Sequence, residues 1–420
     1  PAPPAPAQPR PADELVRECG GAGWLAWLTL QSARLWSAAA PDQRASLFHP
    51  ASAPRLRDSL PAAAGADGEL AAVLHALLDV CAAPASATAA TVAAACEGAM
   101  RWAVVRGHRE TAIQFAEAAA AAEPESAMRA YVAGRLNRDE LSHDRATVWF
   151  RRAMRLARLA HSQIEFAIVQ LGWGVLEQDR GSFANAEKLF RSAARGGFRN
   201  GRRSLAGAAN HQLFNLTGYL GRMDEALEST SLAAALYPAR HPRLPNLALD
   251  VALLWMDLEY FSSALYLLEK VLPRLIVPSS RRIAFAALAR CYAVVRDRIK
   301  WARASEAALK IPAGSGPTES FVLYYLAESE RSFERWDQAV TLALQVIAHE
   351  QSRGGGYAAA RARALVQAER DPGSSDRDVI PAPNDKVEII TQTILKKLSA
   401  RVGKPLNVND VLFPELYPTA

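Results

Sequence analysis

The stretch "GRMDEALESTSLAAALYP", Gly221 to Pro238, opens on a glycine break, runs into an alanine-rich helical pattern and stops at a proline. Its small and apolar positions are Met223, Ala226, Thr230 and Ala233. Residues four and seven apart share one face of a helix, and a small residue on that face lets a neighbouring helix approach closely. The same spacing recurs through the chain. "GSFANAEKLFRSAA" carries Gly181, Phe183, Ala186, Phe190 and Ala193, and "SHDRATVWFRRAM" carries Ala146, Phe150 and Ala153. Upstream, "GHRETAIQFAEAAAAAEP" supplies Gly107, Ala112, Ala116, Ala119 and Pro124. Downstream, Ala264, Leu268 and Val271 repeat the spacing, as do Ala339, Ala343 and Val346.

Each copy follows a second apolar-periodic segment, among them "FAIVQLGWGVLEQDR", "AGAANHQLFNLTGYL", "LALDVALLWMDL" and "SFVLYYLAESERSF". Helices of this length are marginal alone in water, so such pairs must stack on one another to be stable. The anchoring alanines stand 34, 40, 40 and 38 residues apart from Ala112 to Ala264. A further copy is expected in the interval before Ala339, with Leu288, Ala289 and Tyr292 in its first helix and either Ala302 or Ala304 in its second.

These residues resemble the tetratricopeptide repeat (TPR), whose first helix carries W-x2-L-G-x2-Y and whose second carries A-x3-F-x2-A with a proline near the end. Ala186-Phe190-Ala193 and Ala226-Thr230-Ala233 with Pro238 match the second-helix half. Gly134 and Gly174 hold the first-helix glycine position, with Ala252 and Ala327 as small substitutes, and the leading tryptophan is absent from every copy. The resemblance implies an all-α fold, a right-handed α-α superhelix of antiparallel helix pairs with helical caps.

The expected organisation is a proline-rich, disordered lead-in over 1–12, a helical N-terminal cap or small bundle over 13–90 and about seven repeats over 91–350. A capping helix over 351–372, a linker over 373–384 and an amphipathic helix with tail over 385–420 complete it. Pro50, Pro54 and Pro61 read as a loop inside the N-terminal cap. Asp385 and Glu388 read as a capping-box pair ahead of a helix whose apolar face includes Ile390, Ile394 and Leu398. Leu412, Phe413 and Tyr417 extend that docking surface into the tail. Two placements stay open: packing on its own solenoid, or docking on another molecule, which from a second copy would give a homo-oligomer.

Half of the 420 residues are apolar and 22% are charged, which suits a folded chain with ample core material. The net charge of +6 is spread over the length, with arginines interspersed among acids. That leans towards acidic ligands and away from nucleic acid. Cys19, Cys81, Cys96 and Cys291 show no metal-ligand spacing, so they read as free thiols in a reducing compartment and no metal is expected. The apolar stretch from Glu69 to Cys96 is interrupted by His75, Asp79 and Pro84, short of a membrane span. The expectation is a cytoplasmic protein with no membrane partner. The nucleotide-loop, zincin and serine-hydrolase motifs are absent, so neither a cofactor nor catalysis is expected.

If first helices line a concave groove, as the resemblance implies, the ligand-facing positions are Arg101, Tyr131, Arg135, Arg138, His211, Gln212, Asn215, Asp250, Arg290, Tyr324, Tyr325 and Glu328. Arginine forks pair with carboxylates, Asn215 can bond a peptide backbone, and tyrosines give stiff contact area. The lysine of a carboxylate-gripping pair is missing: Leu171 and Val175 stand at those positions in one repeat, His211 and Asn215 in the next. The function expected first is a scaffold that binds a protein or peptide, acidic groups suiting it best. The alternative is a sensor whose repeats close on a signalling peptide and act on an effector domain or partner chain. An enzyme or nucleic-acid binder on a helical-repeat frame ranks third.

Overall fold

The computed structural model describes residues 11–65, 67–313, 317–351, 357–370 and 384–400, and every regular element among them is helical. Pro1–Arg202 and Arg203–Ala420 form two compact units. The lead-in and tail, including Leu412, Phe413 and Tyr417, lie outside the described residues, as does most of the expected linker.

The first unit begins with α1 (Pro11–Cys19), α2 (Gly23–Ala38), α3 (Ser52–Ala64) and α4 (Gly68–Ala82). Three antiparallel pairs follow: α5 (Ala89–Arg106) with α6 (Arg109–Ala122), α7 (Ala127–Asp139) with α8 (His143–Leu159), and α9 (Gln163–Asp179) with α10 (Phe183–Arg199). The segment read as a proline loop is α3. Pro54 sits in its first turn, where the missing N–H has no intrahelical partner, and Pro61 falls one turn from the end at Gly65.

The second unit holds four pairs: α11 (Arg203–Tyr219) with α12 (Met223–Leu236), α13 (Leu244–Asp257) with α14 (Phe261–Val271), α15 (Pro278–Val294) with α16 (Arg298–Lys310), and α17 (Pro317–Ser332) with α18 (Trp336–Gln351). It ends with α19 (Tyr357–Arg370) and α20 (Asp385–Ser399).

A single turn joins the members of each pair. One residue there adopts the left-handed conformation: Gly107, Leu141, Gly181, Gly221, Glu259, Arg296 or Glu334. The next N–H reaches back five residues, as from Arg222 to the Thr217 carbonyl (2.9 Å) and from Tyr260 to that of Trp255 (2.8 Å), closing the helix in a Schellman turn. Glycine suits this conformation because it has no Cβ to strike the following carbonyl.

Small residues of the second helices form the core. Ala146, Phe150 and Ala153 are buried, as are their counterparts in α10, α12, α14 and α18. Ala304, with Ala308, is the inward position of α16, whereas Ala302 is exposed. The first-helix glycines exist to admit the aromatic of the partner helix. A Cβ at Gly134 would stand 3.1 Å from the Phe150 ring, and one at Gly174 would stand 2.5 Å from Phe190.

Helix α20 packs on α12, α13 and α14 of its own chain, burying Ile390, Ile394 and Leu398. Trp255 donates from Nε1 to Thr391 Oγ1 (3.0 Å), and Arg274 donates to the Ala400 carbonyl (3.1 Å). Lys397 Nζ donates to the carbonyls of Ala234, Ala235 and Tyr237, the negative end of α12. The N-cap is Asn384, which accepts from Lys386 and Val387 N–H, so the expected Asp385–Glu388 capping box does not form. Glu388 instead accepts from Gln392 (2.8 Å). Asn is as good a cap as Asp, and it lies one place earlier.

Candidate functional site

In the first unit the expected groove residues are mostly consumed by local charge pairing. Arg101 meets Glu97 (3.3 Å), whose carboxylate also takes Arg129 of α7 (3.0 Å). Arg135 faces Asp139 (3.8 Å), and Arg138 pairs with Asp139 and with Asp179 of α9 (3.8 Å). Burial raises the Asp179 carboxyl, opposed by Arg138. Tyr131 belongs to the core. Its ring lies 5.9 Å from that of Phe150, and a Cβ at Gly172 would come within 2.5 Å of it. Tyr131 is therefore withdrawn from the ligand-facing set: in this repeat the aromatic fills the gap left by the glycine of the next helix.

In the second unit the first helices touch in sequence, α11 with α13, α13 with α15 and α15 with α17. His211 Nε2 lies 2.8 Å from Asp250 Oδ2, joining α11 to α13. Gln212 and Asn215, one turn apart on α11 and half-buried, make no hydrogen bond among the described residues. Arg290 lies among Phe261, Tyr324 and Tyr325, its guanidinium 5.3–5.8 Å from each ring centroid. Glu328 stands 3.9 Å away and Arg290 Nη1 has no hydrogen-bond partner. Burial works against the Arg290 charge, yet Glu328, the two tyrosines and Asp257 outweigh it and hold the group above its ordinary range. Burial pushes the Tyr324 hydroxyl up to about 12.

Sequence reading missed three members of this neighbourhood. Asp257 of α13 pairs with Arg361 of α19, and Arg331 donates to Glu328 (2.9 Å). Asp257 falls in the last turn of its helix and Arg361 on a helix read as a cap, so neither lay at a repeat position that drew notice.

A buried histidine lies beside this face. His241 stacks on Tyr237 with centroids 4.2 Å apart, and its Nδ1 accepts the N–H of Arg243 at the start of α13 (3.2 Å). Burial, then Arg243 and His211, press the imidazole from 6.5 down to about 3. The unfolded chain therefore takes up this proton near pH 6.5 and the folded chain only near 3. Its contribution is fully present above about 6.5 and is lost as pH falls, by up to about 1.4 kcal/mol per unit. Thermal melts are expected to show that loss between pH 6.5 and 4.5. His241→Asn, which keeps an acceptor and does not titrate, is expected to flatten the slope; equal slopes would reject the assignment.

No described triad offers a reachable nucleophile. Ser320 Oγ is 2.9 Å from His349 Nδ1, but it is fully buried and its hydroxyl donates to Glu350. Among the described residues no group of three histidine, cysteine or acidic side chains is placed to hold a metal, and no helix is long and apolar enough to cross a membrane.

No protein-family model and no curated protein matches the sequence. Among solved structures the chain is similar to yeast Tom70, at 16% identity and TM-score 0.40, over 82% of this chain and 71% of that one. It is also similar to BtubC from P. vanneervenii, at 16% and 0.40, over 51% and 90% of the two chains. A third likeness is to the Cut9–Hcn1 hetero-tetramer of the APC/C, at 13% and 0.47, covering 75% of this chain and 58% of that one. The class follows from this chain's own helix pairs, Schellman turns and small-residue crossings. It is a TPR-like helical-repeat protein.

Proposed function

We propose that the chain is a non-catalytic scaffold that binds a polypeptide along the first-helix face of its second unit. The observation that carries this reading is the pair Gln212 and Asn215, half-buried on α11 without hydrogen-bond partners beside the His211–Asp250 contact. Both amides are unengaged and reach solvent, so an incoming peptide backbone can bond them through both donor and acceptor. Further along the same run of helices, the buried charge of Arg290, held by Glu328 and the rings of Tyr324 and Tyr325, adds positive potential that favours a partner with carboxylates. Arg101, Arg135 and Arg138 of the first unit are reserved for acids of their own chain and are left out of this face.

The test compares capture of proteins from a lysate of the source cells by the wild-type chain and by Gln212→Ala/Asn215→Ala. The expected result is a partner held by the first and weakened at least about tenfold by the second, since two backbone-directed hydrogen bonds are worth about 1 kcal/mol or more each. Equal capture, with helicity unchanged, would remove the function from this face.

A further inference from the structure

The second helices of the pairs differ in what covers them. In the first unit α6 is overlaid by α1 and α2, and in the second α12 and α14 are overlaid by α20. Within the first unit, α8 and α10 carry no such cover. Since α7 touches α9, their bare faces lie on the same, opposite side of the pairs.

Charge collects there. Residues 143–202 contain eleven lysines and arginines against five acids, an excess equal to that of the whole chain. Arg151 and Arg155 on α8, with Lys188, Arg195 and Arg199 on α10, are exposed and form no ion pair among the described residues. On α10 these cations span about 16 Å at 1.5 Å per residue. Phe198, 49% exposed, stands between Arg195 and Arg199.

We propose that this face of α8 and α10 binds the phosphodiester backbone of a nucleic acid. At the axial rise of about 3.4 Å in a duplex strand, a stripe of about 16 Å spans about five phosphate steps, fewer for an extended single strand, and the guanidinium fork suits phosphate oxygens. Phe198 offers a stacking surface for an unpaired base. An acidic peptide would meet the same cations but brings no flat base to stack on the exposed Phe198 ring, and it is the competitor that the polyglutamate arm of the test addresses. A lipid surface fits less well again: the apolar side chains exposed on α8 and α10 are Val148, Leu159 and Phe198, set singly among cations and not joined into an insertable apolar face. The basic excess of this segment can be counted in the sequence, but only the packing of α8 and α10 shows that these exposed cations share one side. The inference shares no residue with the polypeptide-binding face.

The test is fluorescence anisotropy of the full chain with a labelled 20-nucleotide strand and its duplex, in 50–200 mM salt. Arg151, Arg155, Arg195 and Arg199 are replaced together by glutamine. A control chain carries glutamine at Arg303, Lys310, Lys386 and Lys396. The stripe variant is expected to lose at least about thirtyfold in affinity and to reduce the salt slope by about three, at roughly 0.7–0.9 per phosphate contact. The control is expected to lose less than about threefold. Absence of binding at 50 mM salt, equal losses in the two variants, or tighter binding of a 20-residue polyglutamate or of phosphatidylserine vesicles than of either nucleic acid would overturn the proposal.

Discussion

Replacing Ile394 by aspartate is expected to release α20 from the second unit while the helix pairs stay folded. Ile394 is fully buried, and the substitution removes a large apolar side chain and places a charge against α12–α14. Full burial of an isoleucine is worth about 1.5–3 kcal/mol, and an unpaired buried charge adds to the loss. A docking penalty of about 4 kcal/mol or more is set against the remaining apolar contacts of α20 and the hydrogen bonds of Thr391, Lys397 and Ala400. Hydrogen exchange over residues 385–400 reads the result: near-unprotected rates in the variant, slow exchange in the wild type. Unchanged protection would mean that the interface rests on other residues. Lys397→Met should give a smaller effect, about 1–2 kcal/mol, since it removes the cation from the C-terminal carbonyls of α12 and leaves the apolar face intact.

Phe150→Ala is expected to cost the first unit about 3–5 kcal/mol, the range for emptying a large aromatic site. Its ring is buried where α7 and α9 present glycines, with prospective Cβ positions at 3.1 Å (Gly134) and 3.2 Å (Gly172) from ring atoms. One side chain therefore spaces three helices. Gly172→Ala should also destabilise, because its Cβ would enter the Tyr131 ring at 2.5 Å. Urea unfolding followed by far-ultraviolet circular dichroism measures both. A loss below about 1 kcal/mol for Phe150→Ala would show that the neighbouring helices collapse into the space.

Much of the repeat architecture was legible because its recurring signal is local. Alanine, aromatic and alanine at four- and three-residue steps report a helix crossing directly, and the left-handed turns at Gly107, Gly181 and Gly221 announce themselves as glycines. The other pair-joining turns do not, since Leu141, Glu259, Arg296 and Glu334 adopt the same conformation with a Cβ in place. Only the backbone shows that they are the same turn. Helix α3 was hidden by Pro54, which its first turn tolerates, and by Pro61, which lies inside it at the cost of one backbone hydrogen bond. Among the candidate ligand-facing residues, His211 and Asp250 meet in space from 39 positions apart, and Tyr131 turned inward. Position within a repeat names a face, but pairing with a neighbouring repeat decides whether a side chain on it is available. The basic stripe illustrates the converse: its excess of cations can be counted in the sequence, but only the packing of α8 and α10 brings them to one side.

The terminal helices close two helix ends from far along the chain. Glu18 of α1 accepts the N–H groups of Glu110 and Thr111 at the start of α6, 92 and 93 positions away, and Lys397 reaches the end of α12 across 160. Contacts within a pair join residues a few tens of positions apart, and such near contacts form sooner than distant ones. During synthesis the site on α12–α14 is complete more than a hundred residues before α20 is made. Each newly made chain thus passes through an interval, seconds long at ordinary elongation rates of about 5–20 residues per second, in which that apolar surface stands open.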